Sequence, residues 1–220
     1  TDAITALAFT SSNDKLISAG MDCQVNVWQV ADGTLIGQLD NPLVPGFTGE
    51  EMVPARIWDL AVIRGDETLL GSFSSSIGFW NLSDSTLQNI VEPQNYLYNF
   101  AYLSLHNQLA VAGNPVLLWQ ILPNAEVQEL WQSEIKRIAV TFAPDGQLLI
   151  FGSGENYVDE NRLPDEMSNG AIEIVAAETG TVLHDLIPGT RKVTALVFAG
   201  DGSVFYSASL DGVVRVWGVP

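Results

Sequence analysis

A chain of 220 residues that is 47% apolar is long enough to bury a substantial core, and this composition excludes a disordered acidic tail. Its 26 acidic residues outnumber 9 basic ones, and the resulting net charge of −17 opposes phosphate backbones and anionic lipid, so nucleic acid and membrane surfaces are set aside as partners. No apolar run approaches the roughly 20 residues that span a bilayer, and the single cysteine, Cys23, rules out an internal disulfide.

The chain opens with an alternating run, I-T-A-L-A-F (Ile4–Phe9), and then places short β-rich runs at Leu16–Gly20, Val25–Trp28 and Thr34–Leu39. Period-two runs of β-branched and aromatic residues separated by Asp-Gly and Asn-Asp turns read as antiparallel strands joined by hairpins. The same order recurs. A second copy runs through Ile57–Val62, Thr68–Phe73, Ile77–Trp80 and Thr86–Val91. A third runs through Tyr98–Leu103, Gln108–Ala112, Val116–Trp119 and Val127–Trp131. The fourth comprises Arg137–Phe142, Gln147–Gly152, Ala171–Val175 and Thr181–Leu186. The fifth, Val193–Phe198, Val204–Ser209 and Val213–Trp217, stops after three strands. Five copies at about 3–39, 56–91, 97–131, 136–186 and 193–217 have the period of propeller blades. Each full copy supplies four strands, which we label a to d in chain order, and no helix-period segment competes.

The strand–Asp-Gly–strand–Trp pattern resembles the WD40-repeat β-propeller family with degenerate repeats, and the resemblance covers residues 1–220 as one region. It implies an all-β fold of four-stranded blades, each tied by a buried set of His, Ser or Thr, Asp and Trp. On these positions Ser18, Asp22 and Trp28 fit in the first copy, and Ser207, Asp211 and Trp217 in the fifth. Trp80 and Trp119 hold the Trp position of the second and third copies. The Asp position is Ser74 in the second, Gly113 or Asn114 in the third and Asn169 in the fourth. Val175 replaces Trp in the fourth, and the His is missing throughout. Blade cohesion is therefore expected to rest mainly on apolar packing. In the family the last blade is commonly closed by a strand from the N-terminus, and nothing before Ile4 could supply one. The expectation is five blades of a larger, seven-bladed ring with its N-terminal part missing, aggregation-prone by itself; a closed five-bladed ring would leave an exposed edge.

Strand order places the d–a and b–c loops on one face, the top, and the a–b and c–d loops on the other. Both long insertions are top loops: Asp40–Ala55, and Ser153–Asn169 between b and c of the fourth copy. Loops of this length are functional or disordered more often than short ones. The first carries Phe47 and Met52 among three prolines, either capping its own blade or offering an apolar contact. The second interleaves Tyr157 with Asp159, Glu160 and further carboxylates. A solvated acidic loop that attracts a basic partner is favoured over a Ca²⁺ site, because the spacing matches no EF-hand. Met21 and Leu210 precede the turn Asp and should project on the same face. The tryptophans, Trp58 and Trp131 included, read as packing residues.

No catalytic, cofactor or metal constellation is visible. His106 and His184 have no nucleophile motif nearby, and Cys23 reads as a turn filler. The sequence therefore points to a non-catalytic protein–protein interaction scaffold that binds through the top face. The alternatives are an enzymatic, quinoprotein-like propeller, to which Val30–Gly37 and Ala176–His184 bear a faint likeness, and a sensory domain attached to an upstream module.

Overall fold

The computed structural model describes residues 2–45, 51–73, 75–93, 97–154 and 170–219. Among them every regular element is a strand. Two compact units are separable: Thr1–Asn95 with Leu122–Val127, and Tyr96–Ile121 with Gln128–Pro220.

The first unit holds two four-stranded antiparallel sheets. One is β1 (Ile4–Phe9), β2 (Lys15–Gly20), β3 (Val25–Gln29) and β4 (Leu35–Leu39), hydrogen-bonded in sequence order. The connection to the next sheet, expected as a loop, contains a two-stranded hairpin, β5 (Leu43–Pro45) with β6 (Met52–Pro54). The second sheet follows as β7 (Ile57–Ile63), β8 (Thr68–Phe73), β9 (Ser76–Asn81) and β10 (Leu87–Val91). β1 packs against β7, so the first strands of the two sheets meet. Ile17, Val25, Ile57, Leu69 and Trp80 are buried together in the core between them. Trp80 explains two glycines of this sheet. Its ring lies back across β8 and β9, and a Cβ at Gly78 or Gly71 would meet ring atoms at 2.7 and 2.9 Å.

In the second unit β11 (Leu97–Leu103), β12 (Gln108–Gly113), β13 (Val116–Ile121) and β14 (Val127–Ser133) form one sheet. The next is β15 (Ala139–Phe142), β16 (Leu148–Gly152), β17 (Gly170–Ala176) and β18 (Val182–Thr190). A three-stranded sheet, β19 (Val193–Phe198), β20 (Val204–Ser209) and β21 (Val214–Gly218), completes the order. First strands again pack on first strands, β11 on β15 and β15 on β19. Leu118, Leu149, Phe151 and Val175 fill one core, and Ile150, Ile172, Val193 and Phe205 the next.

Two sequence expectations are corrected. The strand expected from Arg137 begins at Ala139, because the Arg137 N–H is drawn off to the Gly113 carbonyl at 2.9 Å. The Arg137 guanidinium is buried in an ion pair with the Glu173 carboxylate. The strand expected over Thr181–Leu186 instead continues to Thr190, paired back to Gly170.

Candidate functional site

The backbone fixes which loops share an end. Within the first unit the Met21 N–H donates to the Ala3 carbonyl at 2.8 Å, and the Asn41 amide donates to the carbonyls of Cys23 and Ala55. The b–c turn of the first sheet is thus pinned to the root of the β5–β6 hairpin. At the opposite end the Val30 N–H donates to the Asp14 carbonyl and the Leu82 N–H to that of Glu67, tying c–d to a–b loops. The second unit repeats both pairings. The Leu210 N–H donates to the Lys192 carbonyl at one end, and the Ala177 N–H to the Gln147 carbonyl at the other.

At the top end of the first unit Leu43 and Met52 are 57% and 58% exposed, while Val44 packs on the core. Short strands and a backbone bond from Ala55 to Pro42 hold this hairpin, so its outward apolar side chains are presented on an ordered support. Met21 is half-buried in the neighbouring turn and Asp22 accepts only a long bond, 3.3 Å, from the Gln24 N–H. Phe47 lies outside the described residues, as do Ser74, Tyr157, Asp159, Glu160 and Asn169. Trp58, expected as a packing residue, is 51% exposed. A bulge between Ile57 and Asp59 sends Ile57 and Leu60 into the core and turns the intervening Trp58 outward. Beside it burial pushes the Asp59 carboxyl up to about 6, against the opposing effect of the Leu60 N–H it accepts at 2.9 Å.

The second unit has its own bulge between Leu97 and Asn99, which exposes Tyr98 by 39%. The Lys136 ammonium sits 5.3 Å from the centre of that ring. Leu210, in the b–c turn of the last sheet, is 51% exposed. Next to it Asp211 accepts from Ser209, from the Val213 N–H and from Arg215 at 2.9 Å, and these bonds, the Arg215 bond first, hold its carboxyl down to about 2. A separate cleft in this unit is walled by Trp131 and Phe151 and floored by Arg137 and Glu173. Trp131 lines this cleft at the outer edge of its sheet and donates to the Ala177 carbonyl at 2.8 Å.

The tryptophans separate by partner. Trp28 and Trp217 donate to Ser18 and Ser207 at 2.8 and 2.9 Å, the side-chain pairs that the repeat resemblance implies. Trp80 is fully buried and donates to the Asp40 carbonyl, and Trp119 is buried within β13. Four-stranded antiparallel sheets repeated in series, first strand on first strand, with a c-strand Trp bonded to a b-strand Ser, are the blades of a WD40-type propeller. The family profile described as "WD domain, G-beta repeat" matches residues 1–29 and 180–218, the copies in which those Ser–Trp bonds are made. The two end copies are thus WD40-type repeats, and the sheets between them share their strand order.

Among similar proteins, the small ribosomal subunit protein RACK1y of Oryza sativa subsp. japonica is 24% identical over 159 residues, 68% of this chain and 43% of its own length. Eukaryotic translation initiation factor 3 subunit I of Bombyx mori is 22% identical over 232 residues, covering 98% of this chain and 62% of its own. Periodic tryptophan protein 2 of Arabidopsis thaliana is 36% identical over 78 residues, 36% of this chain and 7% of that protein. The chain thus spans less than two thirds of the length of each of these relatives.

Proposed function

We propose that this chain is a non-catalytic protein–protein interaction scaffold whose contacts lie on the end formed by its d–a and b–c loops. The observation that carries the reading is the β5–β6 hairpin, which holds Leu43 and Met52 outward at 57% and 58% exposure. Apolar side chains on an ordered hairpin lose little conformational entropy when a partner covers them, which is what a contact surface requires. Met21, Phe47, Leu210 and the 155–166 segment with Tyr157, Asp159 and Glu160 belong to the same proposal. The net charge of −17 favours a basic surface on the partner that meets this acidic segment. Two relatives are named as a ribosomal-subunit protein and an initiation-factor subunit, each a component of a larger assembly, and this supports protein partners for the present chain.

The test is partner capture with the full-length protein and with variants lacking 43–53, 155–166 or both. Loss of partner recovery in the double deletion is expected. Unchanged recovery, with the circular-dichroism spectrum preserved, overturns the assignment of contacts to this end. A partner held through the Leu43 and Met52 side chains should also be lost in Leu43→Ser with Met52→Ser, which leaves the backbone of the hairpin in place.

A further inference from the structure

The fourth copy is the one in which the repeat Trp is replaced, by Val175. In the fifth copy the matching Trp217 stacks on Phe205, and both pack with Ile150, Ile172 and Ile174 of the fourth sheet. Val175 lies on the equivalent face, in the core that the fourth sheet shares with Leu118 of the third. Its side chain is much smaller than an indole and leaves the core open beside it. The cleft there encloses about 270 Å³, part of it open to solvent. Trp131 takes up some of the space from the third sheet. Its N–H donates to the Ala177 carbonyl at 2.8 Å, and its ring meets Phe151 edge-on, 6.5 Å between centroids. A Cβ on Gly180 would lie 3.0 Å from that ring, so glycine lets the turn before β18 approach it.

Three features bound what can enter. Arg137 donates through Nε and Nη2 to the two Glu173 carboxylate oxygens, and through Nη1 to the Lys136 carbonyl at 2.8 Å. The floor is therefore a matched ion pair without net charge, and a charged group brought onto it would lose its hydration with no counter-charge in return. Above the floor the cleft is lined mainly by apolar side chains, Val116, Trp131, Phe151 and Val175, with Ile135 and Val182 at the rim. The two rim residues are 51% and 43% exposed, so an apolar group placed between them would free water from both. Finally, β14 and β18 are the outermost strands of their sheets, along which an extended segment can run, and the volume takes one side chain of it.

We propose that this cleft receives a branched aliphatic side chain from an extended, uncharged segment of a partner protein. The cleft continues the core of the third and fourth sheets, so the occupant completes packing that the missing Trp leaves unfinished. The proposal rests on the scaffold reading above for the partner being a protein, and it adds a contact along the outer strands to those at the d–a and b–c end.

The test titrates three fluorescein-labelled nonapeptides, in which Ser alternates with Leu, Ala or Lys, into the full chain at about 0.15 M salt and follows anisotropy. The Ser–Leu peptide is expected to bind roughly tenfold more tightly than the other two. Its binding should move the indole N–H resonance of Trp131 and leave that of Trp217 in place. Val175→Trp restores the residue of the repeat, fills the cleft and should weaken the Ser–Leu peptide roughly tenfold. Ile135→Glu with Val182→Glu, both at exposed positions, should do the same, and decides the matter should Val175→Trp not fold. Leu105→Ser removes an apolar side chain that is 63% exposed elsewhere in the unit, and should change the affinity less than about twofold. No binding of the Ser–Leu peptide, equal binding of the Ser–Ala or Ser–Lys peptide, or undiminished binding by the cleft variants overturns the proposal. If Leu43→Ser with Met52→Ser abolishes binding while the cleft variants keep it, the cleft fails and the reading of the d–a and b–c end stands. If binding needs the cleft while deletion of 43–53 and 155–166 leaves partner recovery unchanged, the cleft stands and that reading fails.

Discussion

The second and fifth blades, of four strands and three, show two ways of holding an antiparallel sheet together. The fifth carries the legible repeat: Trp217 donates to Ser207 at 2.9 Å and stacks on Phe205 at 6.0 Å between centroids. Yet its strands stay open, with Val197, Val214 and Val216 more than half exposed. The second lacks the Ser–Trp bond but buries its Trp completely, edge-on to Phe73, with every residue of β8 buried. A polar pair can register two strands with little burial around it, whereas a degenerate repeat has to depend on packing. Motif quality and packing quality are therefore separate properties of a blade, and each is open to test.

The largest expected effect is in the second blade. Trp80→Ala removes a fully buried indole that fills the space over Gly71 and Gly78, and should cost roughly 3–5 kcal/mol in urea denaturation. Trp217→Ala, partly exposed, should cost clearly less. Equal losses would abolish the contrast between the blades.

The buried ion pair of the fourth blade extends the comparison. This blade has Val175 where the repeat has Trp, and Arg137 with Glu173 joins its entry to its third strand. Arg137→Met leaves Glu173 without its counter-charge and should cost about 3 kcal/mol, while Arg137→Met with Glu173→Met should recover most of it. A double-mutant cycle read by chemical denaturation measures the difference.

The five-copy fold was legible because period-two strands and Asp-Gly turns are local signals that propagate along the sheet. What escaped was non-local or backbone-borne. The β5–β6 hairpin has three-residue strands among prolines, below the length at which alternation can be seen. Trp58 and Tyr98 turn outward at bulges, which residue types alone do not mark. The acceptor of Trp80 is a backbone carbonyl, and every residue offers one. Lys136 comes near enough to Lys192 to affect its charge only because β15 packs on β19. The candidate contacts Met21, Met52 and Leu210 were legible as loop positions, but which of them stand exposed depends on packing.

Acidity separates the blades in a third way. Burial raises Asp59 to about 6 in the second blade, whereas Arg215 and Ser209 hold Asp211 at about 2 in the fifth. Between the unfolded value near ~3.9 and 6 the folded chain retains a proton on Asp59 that the unfolded chain releases, so stability falls as pH rises through that window. Asp59→Asn keeps the group neutral and should raise stability by about 2 kcal/mol at pH 7.5 and leave it little changed at pH 4. Denaturation midpoints at the two pH values decide it. Asp211 stays ionised across this window and should add no slope there.

The smallest effect tests the motif itself. Ser207→Ala removes the acceptor of the Trp217 N–H, and because the indole is only partly buried, water can take over part of that bond. The cost should be about 1 kcal/mol, with the same loss for Ser18→Ala, whose Trp28 bond has the same geometry. The corresponding position of the second blade, paired with Leu60, is Gly71, which has no hydroxyl, and Trp80 donates to Asp40. Ser72 follows Gly71 on the other face of β8, so Ser72→Ala should leave the environment of Trp80 unchanged, as judged by near-ultraviolet circular dichroism, while Ser207→Ala shifts that of Trp217. A matching shift in both would mean that the signal follows the loss of any buried strand hydroxyl and not of the Ser–Trp pair, and the division between polar and packed blades would fail.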